Sequence, residues 1–529
     1  MNKKTRFEFL ASAALAVLGV TACSPASFGA EAITVAPAKM PRIGTVDERF
    51  QSFNIEMVEV TGGRFWAPYS KPGSAAPEAA PAARLSAPGI DPATFRTRQP
   101  IDLASPRLRK LAAALGPAYV RVSGTWANST YFHDSDDPAP ATPPAGFGGV
   151  LTRHVWRDVV DFSRAVNAKI VTSFAVSDGV RDANGVWTPD QARKFLTFTK
   201  AIGGRIAAAE FFNEPTLAAR GGAPKGYDAA AYGRDFLVFL AFAKKIAPDM
   251  LILGPGSVGE AVPMAGLSVL KTQDMLTATG RGVDAFSYHF YGAVSKRCAF
   301  MSGATQTTPE AALSEDWLSR TDRDEAFYAA LRDRFEPGKP LWLTETAEAA
   351  CGGNPWAASF IDSFRYLDQL GRLAKRGVQV VAHNTLAASD YGLIDEATLA
   401  PRPNYWSAVL WRKLMGKTVL DAGTSPVPSV HLYAHCLRDH PGGVALLAIN
   451  VDREASYDLA APMQSDRYTL TAKGLMDTSV ELNGSELRFG AHDALPEMTG
   501  KPTRAGQVKL APASITFLAF PNASNASCR

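Results

Sequence analysis

Between residues 51 and 384 the chain alternates short β-branched or apolar runs with amphipathic helical stretches, and it does so eight times. The runs are residues 52–57, 118–124, 170–175, 208–213, 251–254, 284–291, 341–346 and 378–384. Helix-like segments lie between them, among them 106–115, 156–166, 189–202, 232–246, 322–335 and 358–376, the last stopped by Gly377. Eight strand–helix alternations predict an α/β fold, a (β/α)8 TIM barrel over residues 51–416. A doubly wound open sheet is the alternative, but no glycine-rich phosphate fingerprint follows the first run. After Pro403 the texture changes: a helix at 405–415, then short strands at 430–435, 443–451, 467–475, 486–489 and 514–519, separated by Gly, Asn and Asp turns. Residues 417–529 are therefore expected to form a smaller all-β sandwich, with a strand in 39–50 joining it. Residues 70–92 and 134–144 read as surface loops.

The chain's two ends of composition narrow the function. With 55 Lys and Arg against 51 Asp and Glu it offers no dense basic face for phosphates, so no nucleic-acid partner is expected. Lys3, Lys4 and Arg6 precede an apolar stretch from Phe9 to Val20 that is too short to span a bilayer, so residues 1–22 read as a secretory signal peptide. Val20-Thr21-Ala22-Cys23 resembles a bacterial lipobox, which would lipidate Cys23 and leave residues 23–38 as a tether. Ser24 would then favour the outer membrane. An ordinary signal cleaved nearby is the alternative, giving a periplasmic or secreted protein. A membrane is expected to be met only through that lipid, and the body is expected to be a monomer.

The other four cysteines, Cys298, Cys351, Cys436 and Cys528, permit two disulfides in an exported chain, against the alternative of free buried thiols. No Cys-x-x-Cys pair and no His-x-x-x-His helix appears, and His431 and His435 lie in a strand-like run that holds them about 13 Å apart. No metal and no cofactor is expected.

In a barrel the reacting groups stand at the C-terminal ends of the strands. The fourth run ends in Phe211-Phe212-Asn213-Glu214-Pro215 and the seventh in Leu343-Thr344-Glu345-Thr346. Glu214 and Glu345 would face each other across the mouth, and neither has a Lys or Arg beside it in sequence to explain it as an ion pair. A lone Glu at a strand end is ordinarily a solvated or salt-bridged loop residue. A pair so placed supplies what glycoside hydrolysis needs, one acid for the leaving oxygen and one carboxylate for the anomeric carbon.

Asn213-Glu214 with Glu345 resembles the clan A retaining glycosidases. Within that clan the chain is similar to the heparanase-like β-glucuronidases of glycoside hydrolase family 79. The likeness is carried by Leu341–Thr346, Cys351-Gly352-Gly353, Phe360–Gly371, Asp390–Asp395, Pro403-Asn404-Tyr405-Trp406, Ser52–Glu56 and Tyr119–Thr125. It implies that Glu214 is the acid/base, Glu345 the nucleophile and Asn213 a partner of the sugar 2-hydroxyl. It also implies that Tyr291 keeps Glu345 ionised, that His289 supports Glu214, and that Gly352, Gly353 and Tyr391 clamp a uronate carboxylate. Glu56 and Thr125 could hold sugar hydroxyls. For each of these the structural alternative is a core aromatic, a satisfied core histidine or a turn glycine.

The resemblance also supports a Cys436–Cys528 bond, since such chains often end in a cysteine. Cys298 and Cys351 follow neighbouring strands and could bridge. The expected partner is a glucuronic-acid-containing glycan or glycoside, cleaved by a retaining β-glucuronidase. The alternatives are a clan A xylosidase or arabinofuranosidase, or a catalytically silent glycan-binding surface lipoprotein.

Overall fold

The computed structural model describes residues 33–69, 94–261, 269–301 and 306–529. The expected signal peptide, Cys23 and the Ala/Pro-rich stretch 70–92 lie outside them. Eight parallel strands close into a barrel: Gln51–Glu56, Ala118–Ser123, Ala168–Thr172, Ile206–Glu210, Leu251–Ser257, Ala285–Tyr291, Leu341–Ala347 and Val380–His383. The eighth pairs with the first, Val381 opposite Gln51 and His383 opposite Phe53, which completes the ring.

Side chains along a strand alternate between two faces, so every second residue points into the barrel. The lower interior is apolar, filled by Tyr119, Val171, Ala208, Leu253, Ala285, Trp342 and Val380. The rings of Tyr119 and Trp342 lie 4.9 Å apart there. Two residues further along each strand the interior turns polar, at Arg121, Glu210 and Thr344, all buried. The outer helices start where the sequence supplies caps. Ser105 accepts from the Leu108 N–H with Pro106 in the first turn, and Asp228 accepts from the Ala231 N–H.

Several boundaries differ from those read in the sequence. The fourth strand stops at Glu210, so Asn213 and Glu214 stand on the loop beyond it. The helix Thr272–Thr279 and the strands Met415–Leu420, Tyr457–Ala461 and Gly506–Leu510 carried too weak a local signal to be read. Gly, Asp, Lys and Ala weaken the β-propensity of the three strands, and cross-strand pairing decides their conformation instead. The strand read at 486–489 shrinks to Ser485–Glu486. Residues 134–144 form no regular element.

The all-β part has two sheets. Arg42–Thr45 pairs antiparallel with Met415–Leu420 at one edge of a nine-stranded sheet. Ile33–Thr34, Tyr457–Ala461 and Gly506–Leu510 make a three-stranded sheet. Ile33, Leu420, Leu446, Leu459, Leu510 and Leu518 are buried between the two. The described residues thus pass through these sheets at Ile33–Thr45, build the barrel and return to the sheets after it. The barrel helix Phe360–Lys375 lies against the strand Val430–Leu437, where Asp368 Oδ1 is 2.6 Å from both His431 Nδ1 and the Tyr433 hydroxyl. Cys436 is bonded to Cys528, and Cys298 to Cys351.

Candidate active site

Glu345 comes from a strand that breaks step. The seventh strand pairs with the sixth in one register up to Leu343 opposite Tyr288, then resumes with Glu345 opposite His289. That irregularity turns both Thr344 and Glu345 toward the interior, which strict alternation would forbid. Thr344 donates to Glu210 Oε1 at 2.7 Å. Glu345 accepts from the Tyr291 hydroxyl at 2.7 Å and from Arg121 Nη1 at 2.7 Å. The sequence offered no basic neighbour for Glu345, and the structure corrects this. Its cation, Arg121, arrives from the second strand, and its guanidinium is buried.

Glu214 is set by its backbone. Asn128 receives the Asn213 N–H at 2.8 Å on its amide oxygen and donates to the Asn213 carbonyl at 2.9 Å. With that peptide pinned, Glu214 takes φ +49, a left-handed conformation unusual outside glycine. Its carboxylate lies 3.1 Å from His289 Nδ1. Asn213 Oδ1 accepts from Arg121 Nη2 at 2.7 Å. Arg121 Nε and Nη2 donate to Glu210 Oε2 at 3.2 and 2.8 Å, so one guanidinium organises Asn213, Glu210 and Glu345 together.

Glu214 and Glu210 differ electrostatically. Burial lifts Glu214 above the usual carboxylate range and the charge of Glu345 adds to it, with His289 opposing. Burial would also lift Glu210, but the Arg121 guanidinium and His289 hold it well below that range. Burial by itself would lower His289; the facing charge of Glu345 and the hydrogen bonds to Glu210 and Glu214 outweigh it, raising the imidazole to about 9. Arg121 Nη2 lies 3.2 Å from His289 Nε2, a contact that suits a neutral imidazole as acceptor. With three carboxylates facing the ring, the charged form prevails and the guanidinium is there a neighbour and not a donor.

Ligand atoms of Glu214, His289 and Glu345 lie within 4.8 Å of one another, a spacing that a metal ion could bridge. The donor set does not fit one, because His289 is held protonated and Arg121 already occupies Glu345.

The remaining sequence candidates divide. Tyr391 is buried, and its hydroxyl lies 3.3 Å from Asn384 Nδ2. The same amide reaches the Tyr291 hydroxyl at 3.0 Å and Glu56 Oε1 at 3.1 Å. Gly352 and Gly353 have φ +84 and +82, and a Cβ on Gly353 would sit 3.1 Å from Tyr391. Asn384 thus joins Tyr391, Tyr291 and Glu56, with Gly353 packed against Tyr391 and Gly352 against Ser389 and Trp66. Glu56 uses its carboxyl to cap the helix Met57–Thr61 through the Glu59 N–H. Burial, then the charge of Glu345, raise it well above the carboxylate range. Thr125 stands exposed at the start of a 3-10 turn, with no hydrogen bond to this cluster among the described residues. Sequence reading missed Arg121, Glu210, Asn128 and Asn384. A lone charge inside an apolar strand run, as in Ala118-Tyr119-Val120-Arg121-Val122, was the available signal.

A closed barrel with two carboxylates close together at its mouth is the frame of a retaining glycoside hydrolase. Residues 99–371, more than half of the chain, match the family described as glycosyl hydrolase family 79, N-terminal domain. The chain belongs to that family and is a glycoside hydrolase. It is 27% identical over 497 residues to heparanase of Mus musculus, covering 80% of this chain and 88% of that protein. Hyaluronoglucuronidase of Hirudo nipponia is 26% identical over 473 residues, covering 81% and 92%. Heparanase-like protein 1 of Arabidopsis thaliana is 26% identical over 379 residues, 68% of this chain, and the chain spans 66% of that relative's length. Among solved structures, the GH51 arabinofuranosidase from Xanthomonas axonopodis pv. citri superposes with a TM-score of 0.62 at 18% identity, covering 92% and 99%. That likeness concerns the fold.

Proposed function

We propose that this glycoside hydrolase is a β-glucuronidase working by double displacement, with Glu345 as nucleophile and Glu214 as acid/base. The observation that carries the reading is the pair itself. Carboxylate oxygens of the two residues approach within 4.8 Å. That fits the roughly 5–5.5 Å separation of retaining enzymes and not the 6.5–9.5 Å of inverting ones. Glu345, facing a guanidinium and a phenol, attacks the anomeric carbon. The bond to the leaving oxygen breaks as Glu214 delivers its proton there. Water then attacks the glycosyl ester, Glu214 takes the water's proton, and Glu345 leaves as carboxylate. Arg121 and Tyr291 donate hydrogen bonds to Glu345 and aim it for attack, and Asn213, oriented by Arg121, meets the sugar 2-hydroxyl.

The uronate enters through Gly352, Gly353 and Tyr391. Two glycines let backbone N–H groups approach an anion, and the phenol adds a neutral donor, so a carboxylate is bound without a fixed positive charge. The relatives named heparanase and hyaluronoglucuronidase support a uronate-containing glycan as substrate. Two disulfides in one chain support export to an oxidising compartment, where the lipobox-like Cys23 would anchor the protein.

An aryl β-glucuronide should be cleaved at least about 10²-fold more efficiently than the matching β-glucoside, as expected if poorly satisfied donors cost ~3 kcal/mol in the transition state. Tyr391→Phe should shrink that ratio. Equal rates on both sugars, or product of inverted anomeric configuration by NMR, would remove the reading.

A further inference from the structure

We infer that the Cys298–Cys351 disulfide and the Arg297–Asp390 ion pair form a knot that determines specificity, by holding the carboxylate-recognising loop in register. This rests on the glucuronidase reading above and names the parts that keep its clamp in place.

The loop after the seventh strand is improbable on its own. Cys351, Gly352 and Gly353 follow one another at φ +62, +84 and +82, three left-handed residues in a row, the first of them not glycine. Such a run does not sustain itself, so its neighbours must. Cys351 is bonded to Cys298, a fully buried residue in the loop after the sixth strand. Ala350 is paired on both sides, accepting from the Ser295 N–H and donating to the Ala293 carbonyl, each at 3.0 Å. The Lys296 N–H donates to Asn354 Oδ1 at 2.8 Å, and Asn354 in turn donates twice to buried Glu348.

The loop after the eighth strand, which carries Tyr391, is tied to the same place. The Gly352 carbonyl accepts from the Asp390 N–H at 3.1 Å and from the Ser389 hydroxyl at 2.9 Å. Arg297, adjacent to the disulfide, donates to Asp390 Oδ2 at 3.1 Å while its guanidinium lies 3.9 Å above the Tyr69 ring. Tyr69 donates its own N–H to Asp390. Three loops therefore meet at one point, and the proposed clamp residues lie on two of them.

The reacting carboxylates hang elsewhere. Glu214 is fixed through Asn128, and Glu345 sits within its strand against Arg121 and Tyr291. Loosening the knot should therefore misplace the clamp and spare the chemistry, which shows as a rise in KM for charged substrate.

The experiment compares kcat and KM on an aryl β-glucuronide and the matching β-glucoside in wild type, C298S/C351S and C436S/C528S. Wild type comes first, and a wild type with no preference for the glucuronide overturns the glucuronidase reading itself. Given that preference, C298S/C351S should lose at least tenfold of the glucuronide-to-glucoside ratio, through KM, while kcat on the glucoside moves less than twofold. C436S/C528S, whose bond lies in the β-sandwich, should keep the wild-type ratio. A folded C298S/C351S with an unchanged ratio overturns the knot. If that variant does not fold, Arg297→Gln carries the test, and an unchanged ratio there overturns it equally.

Discussion

Glu214 and Glu345 are the same amino acid with opposite proposed tasks, and what separates them is their company. Glu345→Ala should abolish turnover, since no glycosyl-enzyme can form, and mass spectrometry of the enzyme trapped with a slow-leaving substrate would detect the missing adduct. Glu214→Ala should slow poor leaving groups by about 10²–10⁴ while barely affecting activated aryl glycosides, which need little protonation. A Brønsted plot over a series of phenols measures this, and parallel losses across the series would count against the assignment. Glu214 carries a raised value in the folded protein, so activity should fall as pH rises through it and the acid form is lost. His289 opposes that rise. His289→Gln should therefore move the alkaline limb of the kcat/KM profile to higher pH; a limb that stays or moves down contradicts the geometry. Glu214 and Glu345 were legible because each ends an apolar run in a short polar motif. Arg121 was not, because a charged residue inside a strand reads as an exposed edge position until the ring closes around it.

At the scale of elements, the strands that matter most for chemistry are those that depart from regularity. The seventh changes register at Thr344, and the fourth ends early enough to let Glu214 turn left-handed. Neither departure has a sequence signature, since each is imposed by the neighbouring strand or by the Asn128 side chain. The second disulfide works on the other part of the molecule. Cys436–Cys528 ties the strand Val430–Leu437 to the last turn of the chain across a sequence separation of 92 residues. Closing such a loop contributes roughly 4–5 kcal/mol in the chain-entropy treatment, an upper figure. C436S/C528S should lower the unfolding free energy by no more than that, read from urea denaturation. A variant as stable as wild type would mean that the β-sheets and the docked N-terminal strands already hold the terminus.

For the whole molecule, the contact between barrel and sheets decides whether it unfolds in one step. Gly371, on the helix Phe360–Lys375, lies so close to the Tyr433 ring that a Cβ there would fall 2.3 Å from it. Beside it Asp368 meets both His431 and Tyr433. The helix and sheet are therefore packed at the limit of approach, which should couple the two parts into one cooperative transition. Gly371→Ala should overpack this contact and cost about 1–3 kcal/mol. Its denaturation curve should shift as a whole, and a split into two transitions would show that the parts fold independently.

The amino-acid sequence by itself determined the fold class and the identity of the paired carboxylates. Both are local properties: apolar periodicity sets strand and helix, and a strand's last residues must lie at the barrel mouth. The tertiary structure decided which groups each carboxyl faces, how deeply it is buried, and which loops are locked together. Those depend on distances and burial among residues far apart in the chain, such as Arg121 and Glu345, which are 224 positions apart. Coulomb interactions and desolvation act through space, and no spacing in the sequence records them.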